Sequence, residues 1–185
     1  AFLLYTYTLY KYIYQERNKM KFLITIIAIF MFSSHLFAGP GSGIGNAGDE
    51  KDVNKIIRVS MFDNYFKPTN IKVKKGQTIK FIIENKGEFV HEFNINTKEG
   101  HLKHQPEMTM MTEMEILSPE YIDKEKMMKM TKTNPSMKHD HGNSVLLEQG
   151  GSDELIWKFG DNTEVEVACN VPGHYEDGMV NKVNF

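Results

Sequence analysis

The only cysteine of the chain lies in a short run near its end that also contains a histidine and a methionine. The run reads CNVPGHYEDGM over residues 169–179, with four residues between Cys169 and His174 and four more before Met179. Thiolate and thioether are soft donors that suit Cu(I), and imidazole also serves Cu(II), so the three side chains together form a ligand set for copper. Such a site needs one more histidine from elsewhere in the fold, and His91 is the candidate.

The alternation of apolar and polar residues supports inward-facing donors. Side chains along a strand alternate between its two faces. In the segment EVEVAC (residues 164–169), the valines share a face with Cys169 while the glutamates face the other way. In HEFNI (residues 91–95), His91 lies on the same face as Phe93. Both residues are therefore expected to point into the core, as a buried metal site requires.

Short segments with strand character are separated by turn signals through most of the chain. Their density predicts an all-β fold, a Greek-key antiparallel β-sandwich. The predicted strands lie around Ile57–Met61, Ile71–Val73, Ile79–Glu84, Val90–Asn96, Leu155–Phe159, Glu164–Cys169 and Met179–Phe185.

Two stretches, VHEF at residues 90–93 and the run at 169–179, resemble the cupredoxin family. The similarity is to its periplasmic plastocyanin/azurin-like group associated with copper tolerance, and it covers roughly residues 53–185. The resemblance implies one type 1 copper in a plane formed by His91, Cys169 and His174, with a methionine on the axis. Met179 takes the axial position, and Asn170 is a candidate for supporting the ligands from behind.

Other interpretations of these residues remain open from the sequence. His91 can be a core histidine bonded to a backbone carbonyl, Met179 can be ordinary core packing, and Asn170 can be a loop-turn residue. Cysteine with two histidines can also hold zinc, which leaves the methionine without a role. A nucleophile–base pair of Cys169 and His174 is disfavoured, because an inward cysteine at a strand end suits it poorly.

The first part of the chain is expected to be processed. Residues 1–19 are interpreted as translated upstream sequence, and residues 20–38 as a signal peptide with cleavage after Ala38. The apolar run in it is shorter than the ~20 residues of a membrane span. Residues 39–52 are rich in glycine and predict a flexible tether, followed by the cupredoxin domain at 53–185. After export to the oxidising periplasm, the single cysteine cannot form an intramolecular disulfide, and a bound metal would protect it from oxidation.

An insertion is predicted at about residues 100–150, where strand alternation is lost. Eight of the twelve methionines fall there. Two interpretations compete: the methionines form the apolar face of short helices that cover a sheet, or their thioethers bind additional Cu(I). Leu117 and Tyr121 fit the apolar stripe of the first interpretation. Candidates for auxiliary copper are Met108, Met110, Met111, Met114, His139 and His141, the two histidines as a Cu(II) or Zn(II) chelate.

Charge and the lack of enzyme motifs limit the functions. Without residues 1–38 the chain has 18 basic and 23 acidic residues, a net charge of −5, which argues against nucleic-acid binding. We expect a monomer without stable membrane association after cleavage. The favoured function is copper binding and handling that contributes to copper tolerance, with copper ions as the partner. The alternative is a diffusible single-electron carrier with a redox-protein partner. A cuprous oxidase is less favoured, because one nearly saturated copper suits multi-electron oxygen chemistry poorly.

Overall fold

The structure is a computed structural model that describes residues 43–133 and 141–185, all within one compact unit, Gly39–Phe185. A single 3-10 turn spans Glu50–Asp52. The strands are β1 (Gly45–Ala47), β2 (Lys55–Phe62), β3 (Tyr65–Lys67), β4 (Ile71–Lys72), β5 (Thr78–Asn85), β6 (His91–Asn96), β7 (Ser144–Leu147), β8 (Ser152–Phe159), β9 (Glu166–Ala168) and β10 (Val180–Asn184). The helices are α1 (Lys98–Glu113) and α2 (Lys124–Thr133).

The strands form two five-stranded sheets, in the orders β1-β8-β5-β2-β3 and β4-β10-β9-β6-β7. The predicted all-β sandwich with a helix-containing insertion is therefore confirmed. Pairing is mostly antiparallel, but β2 runs parallel to β5 and β10 parallel to β4. Both proposed strand donors belong to the second sheet, because β6 pairs with β9, the strand that leads into Cys169.

The core lies between the sheets and is built by the alternation that the sequence shows. On β5, Ile79, Phe81 and Ile83 are fully buried, as period-two patterning requires. Phe93 of β6 crosses to the other sheet, with its ring centroid 5.2 Å from that of Phe81 and 5.9 Å from that of Phe66. Since His91 shares this face of β6, the strand directs its imidazole inward as predicted.

The other face of β6 is covered as well, because the insertion folds back over it. All six residues of β6 are buried, and α1 packs against this strand. The helix begins directly after β6, where the side-chain oxygen of Thr97 accepts a hydrogen bond from the backbone N–H of Gly100 and caps the first turn. The insertion therefore adds a third layer over one edge of the sandwich.

Two segments differ from the prediction. Part of the predicted tether is a strand, since β1 pairs with β8 along Gly45↔Phe159 to Ala47↔Trp157; its glycines and lack of periodicity hid the pairing. Within the predicted insertion, β7 pairs with β6, although four residues are too few to show alternation clearly. In the described ranges, 43–133 and 141–185, no helix has both the length and the apolar character of a membrane span.

Candidate metal centre

Three of the predicted donors converge at one end of the sandwich. The Nδ1 atoms of His91 and His174 are 3.2 Å apart, and the Sγ of Cys169 lies 3.3 Å from His174 Nδ1 and 3.9 Å from His91 Nδ1. These residues form what we call the Cys169 cluster. A sulfur and a nitrogen bound to one ion at ordinary bond lengths lie about 3.3–3.8 Å apart, and two nitrogens about 3.1–3.6 Å. Only the separation of Cys169 Sγ and His91 Nδ1 lies slightly above these ranges, so the donor set fits a single ion.

The loop between β9 and β10 holds two of the donors and the predicted axial methionine. The backbone N–H of Met179 donates to the carbonyl of His174 at 2.9 Å, and the N–H of Cys169 donates to the carbonyl of Met179 at 3.1 Å. Gly178, before the methionine, has a φ of 93°, a conformation that favours glycine. The side chain of Met179 is fully buried. Backbone hydrogen bonds therefore hold Met179 next to both Cys169 and His174 in this loop.

An aspartate that the sequence did not single out orients His91. This residue is Asp63, in the turn between β2 and β3, and its Oδ1 lies 2.9 Å from His91 Nε2. If Nε2 carries the proton for this bond, the Nδ1 lone pair faces the Cys169 cluster. Gly87 permits the contact, since a Cβ there would overlap Asp63 Oδ1 and lie 2.8 Å from His91 Nε2.

Burial favours the neutral forms of all three donors. It lowers the pKa of His91, although the hydrogen bond to Asp63 opposes this, and it lowers the pKa of His174 with help from the charge of His91. Burial also raises the pKa of the Cys169 thiol to about 12, against the hydrogen bond from the backbone of Glu92. Neutral imidazoles are ready to bind a metal, whereas the thiol has to exchange its proton for the ion.

Behind the cysteine lies a fully buried carboxylate, Glu92. Its backbone N–H donates to Cys169 Sγ at 3.3 Å. Its Oε2 accepts from the backbone N–H and the Nδ2 of Asn170, at 3.3 and 2.7 Å. Its Oε1 accepts from Asn94 Nδ2 at 3.1 Å and lies 3.1 Å from His104 Nε2. The residue proposed as a support for the ligands, Asn170, is thus buried beside Cys169 and bonded to Glu92.

The methionines of the insertion divide between core and surface. Met108 and Met111 are fully buried, as is most of Met130, which supports the packing interpretation for these three. The proposed stripe is only partly right, because Leu117 is buried whereas Met114 and Tyr121 are 46% and 52% exposed. Met110 is partly exposed. Met108 and Met111 lie one helical turn apart on the same face of α1, whereas Met114 is the C-cap residue beyond the last turn.

Of the two histidines proposed as a chelate, His139 lies outside the described residues. His141 lies instead near two residues of α1, with its Nε2 3.5 Å from Glu107 Oε2, and Glu107 lies beside His104. The sequence reasoning singled out neither Glu107 nor His104 as a site residue. Their separation of three along a helix, with a histidine and a carboxylate on one face, was the available signal.

The donor geometry and the comparisons with known proteins point the same way. The family model of the cupredoxin-like domain matches residues 22–122. The chain is 38% identical to a protein of Pseudomonas aeruginosa named copper-resistant cuproprotein CopI, over 87% of this chain and 92% of the relative. It is 32% identical to a protein of the same name from Rubrivivax gelatinosus, over 75% and 71%.

Among solved structures, auracyanin B has the same fold. It matches with a TM-score of 0.54 and 14% sequence identity, over 77% of this chain and 95% of that one. At this identity the likeness concerns the fold alone, and it agrees with the two sheets described above. The family model, which covers more than half of the chain, and the relatives together establish that this chain belongs to the cupredoxin-like domain family.

Proposed function

We propose that the protein is a type 1 copper-binding protein that contributes to copper tolerance. The single observation that carries the proposal is the convergence of two imidazole Nδ1 atoms and one thiol sulfur within 3.9 Å. His91, Cys169 and His174 would hold the ion in a plane, and Met179 would supply a weak axial thioether. Bound copper would supply a reversible one-electron change between Cu(II) and Cu(I).

The surrounding residues would keep this site fixed while the charge of the ion changes. Asp63 restrains the His91 ring through Nε2, and the backbone N–H of Glu92 restrains the cysteine sulfur. A hydrogen bond to the sulfur also removes electron density from it and so tunes the reduction potential. Zinc would fit the same three donors. The thioether of Met179 in the same loop favours copper, because it is a soft donor that zinc sites do not use.

A role in copper tolerance rests on the relatives and on the predicted export. Both relatives described above are named copper-resistant cuproproteins. Residues 20–38 have the pattern of a signal peptide, residues 1–19 would be upstream sequence, and the periplasm is where a monomer with one thiol would need a metal to protect it. Such a protein would bind copper ions before they reach other targets.

A single-electron carrier is the second candidate, and one observation favours it. His174 is partly exposed, whereas His91 and Cys169 are fully buried. An exposed imidazole edge beside a buried site offers a partner protein a short path for an electron. Rapid electron exchange with a periplasmic donor would support this role. A cuprous oxidase is less favoured, because the four proposed ligands leave little room for oxygen.

The copper site is tested by titrating the purified protein, expressed as the full chain, with Cu(II) and recording visible absorption and electron paramagnetic resonance. One equivalent should produce an intense thiolate-to-copper band, and Cys169→Ser should lose that band completely. Met114→Leu, a variant of an exposed methionine at the C-cap of α1, serves as the control and should keep it. A folded wild-type protein without the band would refute the type 1 assignment.

Copper tolerance is tested separately in cells. A strain without the gene should stop growing at a copper concentration that the parent strain tolerates. Wild-type protein should restore growth, and Cys169→Ser should not. Normal growth of the deletion strain in toxic copper would contradict the tolerance role but would leave the copper site and the electron-carrier role standing.

A further inference from the structure

A second group of donors lies on the opposite side of Glu92 from Cys169. His104 and Glu107 of α1 and His141, which precedes β7, place their ligand atoms within 4.8 Å of one another. We call them the His104 cluster. Glu107 Oε2 lies 3.2 Å from His104 Nδ1 and 3.5 Å from His141 Nε2, so one carboxylate oxygen stands between two imidazoles.

The three side chains open into a cavity rather than into close packing. The cavity has a volume of about 180 Å³, and Asn94 and Asn143 line it together with the cluster. The side chain of His104 is 9% exposed, that of Glu107 24% and that of His141 37%. An ion can therefore reach the cluster from solvent while the deepest donor remains buried.

The donor types match a particular class of ion. Two imidazoles and one carboxylate are a ligand set that zinc uses in proteins, with a further position left to water. Imidazole also suits Cu(II), which binds such nitrogen and oxygen donors more tightly than Zn(II) does. Because the cluster has no thiolate or thioether, it would not favour Cu(I). It is therefore chemically distinct from the Cys169 cluster.

His104 contacts a carboxylate through its other ring nitrogen, as metal-bound histidines usually do. His104 Nε2 lies 3.1 Å from the buried Glu92 carboxylate, which leaves Nδ1 to face Glu107 and the cavity. Metal-ligating histidines almost always donate their second N–H to a carboxylate, carbonyl or water, and this fixes the ring and its tautomer. A purely structural ion pair between His104 and Glu92 does not require Glu107 and His141 to converge on the remaining nitrogen.

From these observations we propose that His104, Glu107 and His141 form a second metal site, specific for a divalent ion of the Cu(II) and Zn(II) class. The ion would bind at His104 Nδ1 and replace the proton that this atom shares with Glu107. His104 would keep its Nε2 proton and its bond to Glu92. The site itself does not depend on copper at the Cys169 cluster.

The two clusters are joined through one residue. The carboxylate of Glu92 contacts His104 and accepts hydrogen bonds from the backbone N–H and the Nδ2 of Asn170. The backbone N–H of Glu92 donates to Cys169 Sγ. An ion at the His104 cluster would polarise the His104–Glu92 bond, and Glu92 is the nearest neighbour of the cysteine sulfur along that path. Filling the second site is therefore expected to shift the absorption band of copper at the first. This consequence rests on the proposed type 1 site.

The test is a Cu(II) titration of the full-chain protein beyond one equivalent, followed by electron paramagnetic resonance. A second equivalent should bind without a new thiolate band and give a signal with splitting from two imidazole nitrogens. Glu107→Gln and His141→Ala should each bind this second equivalent at least about tenfold more weakly, because the loss of a ligand costs at least as much as the loss of its support. Both variants should keep the first equivalent and its band.

His139→Ala is the matched control, because it removes a histidine two positions from His141 in the sequence and leaves all three proposed ligands unchanged. It should keep the second equivalent. If His139→Ala weakens binding as much as His141→Ala and Glu107→Gln does not, the ion is held by the histidine pair and the proposed set is wrong. The absence of a second equivalent in the wild-type protein would also overturn the proposal.

A zinc titration separates this site from the proposed copper site. The double variant Cys169→Ser/His174→Ala lacks two donors of the Cys169 cluster, and it should still bind one equivalent of Zn(II) in isothermal titration calorimetry. Adding Glu107→Gln to it should remove that binding. Zinc binding that survives the triple variant would refute the second site, whatever the titration with copper shows for the first.

Discussion

The two donor clusters differ in charge although a single buried residue separates them. In the Cys169 cluster, burial lowers the pKa of both histidines and raises that of the thiol, so the metal-free donors are neutral. In the His104 cluster, burial acts against the charge of His104, but hydrogen bonds to Glu107 and Glu92 outweigh it and raise the pKa of His104 to about 10. Burial therefore prevails at His91, which faces one partly exposed carboxylate, and is outweighed at His104, which lies between two.

This difference suits two kinds of ion. Two neutral imidazoles, a cysteine that binds as thiolate and a thioether favour copper in either oxidation state. The His104 cluster has two carboxylates around one imidazolium, so a divalent cation replaces a charge that is already positive. Glu92 takes part in both, and changes at this residue should therefore reveal how far the clusters depend on each other.

Glu92→Gln is expected to have one of the two largest effects on stability. The carboxylate accepts hydrogen bonds from Asn94 and Asn170 and lies beside His104, and an amide would turn one acceptor into a donor that faces other donors. Breaking one side of a buried charged pair costs about 3–5 kcal/mol. We expect the free energy of unfolding of the metal-free protein to fall by about 3 kcal/mol in urea denaturation.

Glu154→Gln is the control for that measurement. Its carboxylate pairs with Lys80 at 2.7 Å, but its side chain is 53% exposed, and exposed pairs contribute about 0–1 kcal/mol. A Glu92→Gln protein that unfolds within 1 kcal/mol of the wild type would mean that the carboxylate does not stabilise the two clusters together.

Two methionines provide a comparison of a buried position within α1 and an exposed position at its C-cap. Met111 is fully buried, whereas Met114 is 46% exposed. Met111→Ala should lower the free energy of unfolding by about 2–5 kcal/mol through the cavity it leaves, and Met114→Ala by less than about 0.5 kcal/mol. Thermal unfolding of the metal-free variants measures both. Equal small losses would mean that α1 is not part of the core.

The sandwich and the loop donors of the Cys169 cluster could be predicted because both depend on local sequence patterns. Alternation on β5 and the spacing of Cys169, His174 and Met179 depend only on neighbours along the chain. Asn170 was proposed as a support because it follows Cys169 in the sequence, whereas Asp63 and Glu92 were not, because their contacts with the site join residues far apart in the chain. Alternation would have placed Glu92 on an outer face, and only the helix α1, folded back over β6, turns that face into an interior.

Asp63→Asn tests the orientation of His91 from outside the ligand set. Its carboxylate lies 2.9 Å from His91 Nε2 and accepts from the backbone N–H of Glu88 and Phe89. These bonds lower its pKa despite the opposing effect of burial. Loss of such a support typically weakens metal binding 10–100-fold, and we expect this for the first equivalent of copper in competition with a chelator.

Asp153→Asn, on the exposed part of β8, is the control for copper binding and should leave the affinity unchanged. The affinity for the second equivalent, at the His104 cluster, should also be unchanged in Asp63→Asn, since Asp63 contacts His91 of the Cys169 cluster. A loss of both equivalents together would indicate general damage to the fold rather than a misplaced His91.

The smallest expected effect is the pH dependence of stability, and it reports directly on the charge of the His104 cluster. The pKa of His104 is about 10 in the folded protein, against an ordinary value of 6.5, so the folded state binds one more proton between these values. The stabilisation is complete below pH 6.5 and is lost as the pH rises towards 10. Between pH 7.5 and 8.5 the free energy of unfolding of the metal-free protein should fall by about 1 kcal/mol.

His104→Gln should remove most of that slope, whereas Cys169→Ser should leave it. The pKa of the Cys169 thiol is also raised, but from an ordinary value of 9.0, so its contribution to the pH dependence has the same sign and grows mainly above this range. An unchanged slope in His104→Gln would mean that the folded protein does not hold the extra proton on His104. The ion proposed for the second cluster would then bind a neutral imidazole, and the contrast in charge between the two clusters would disappear.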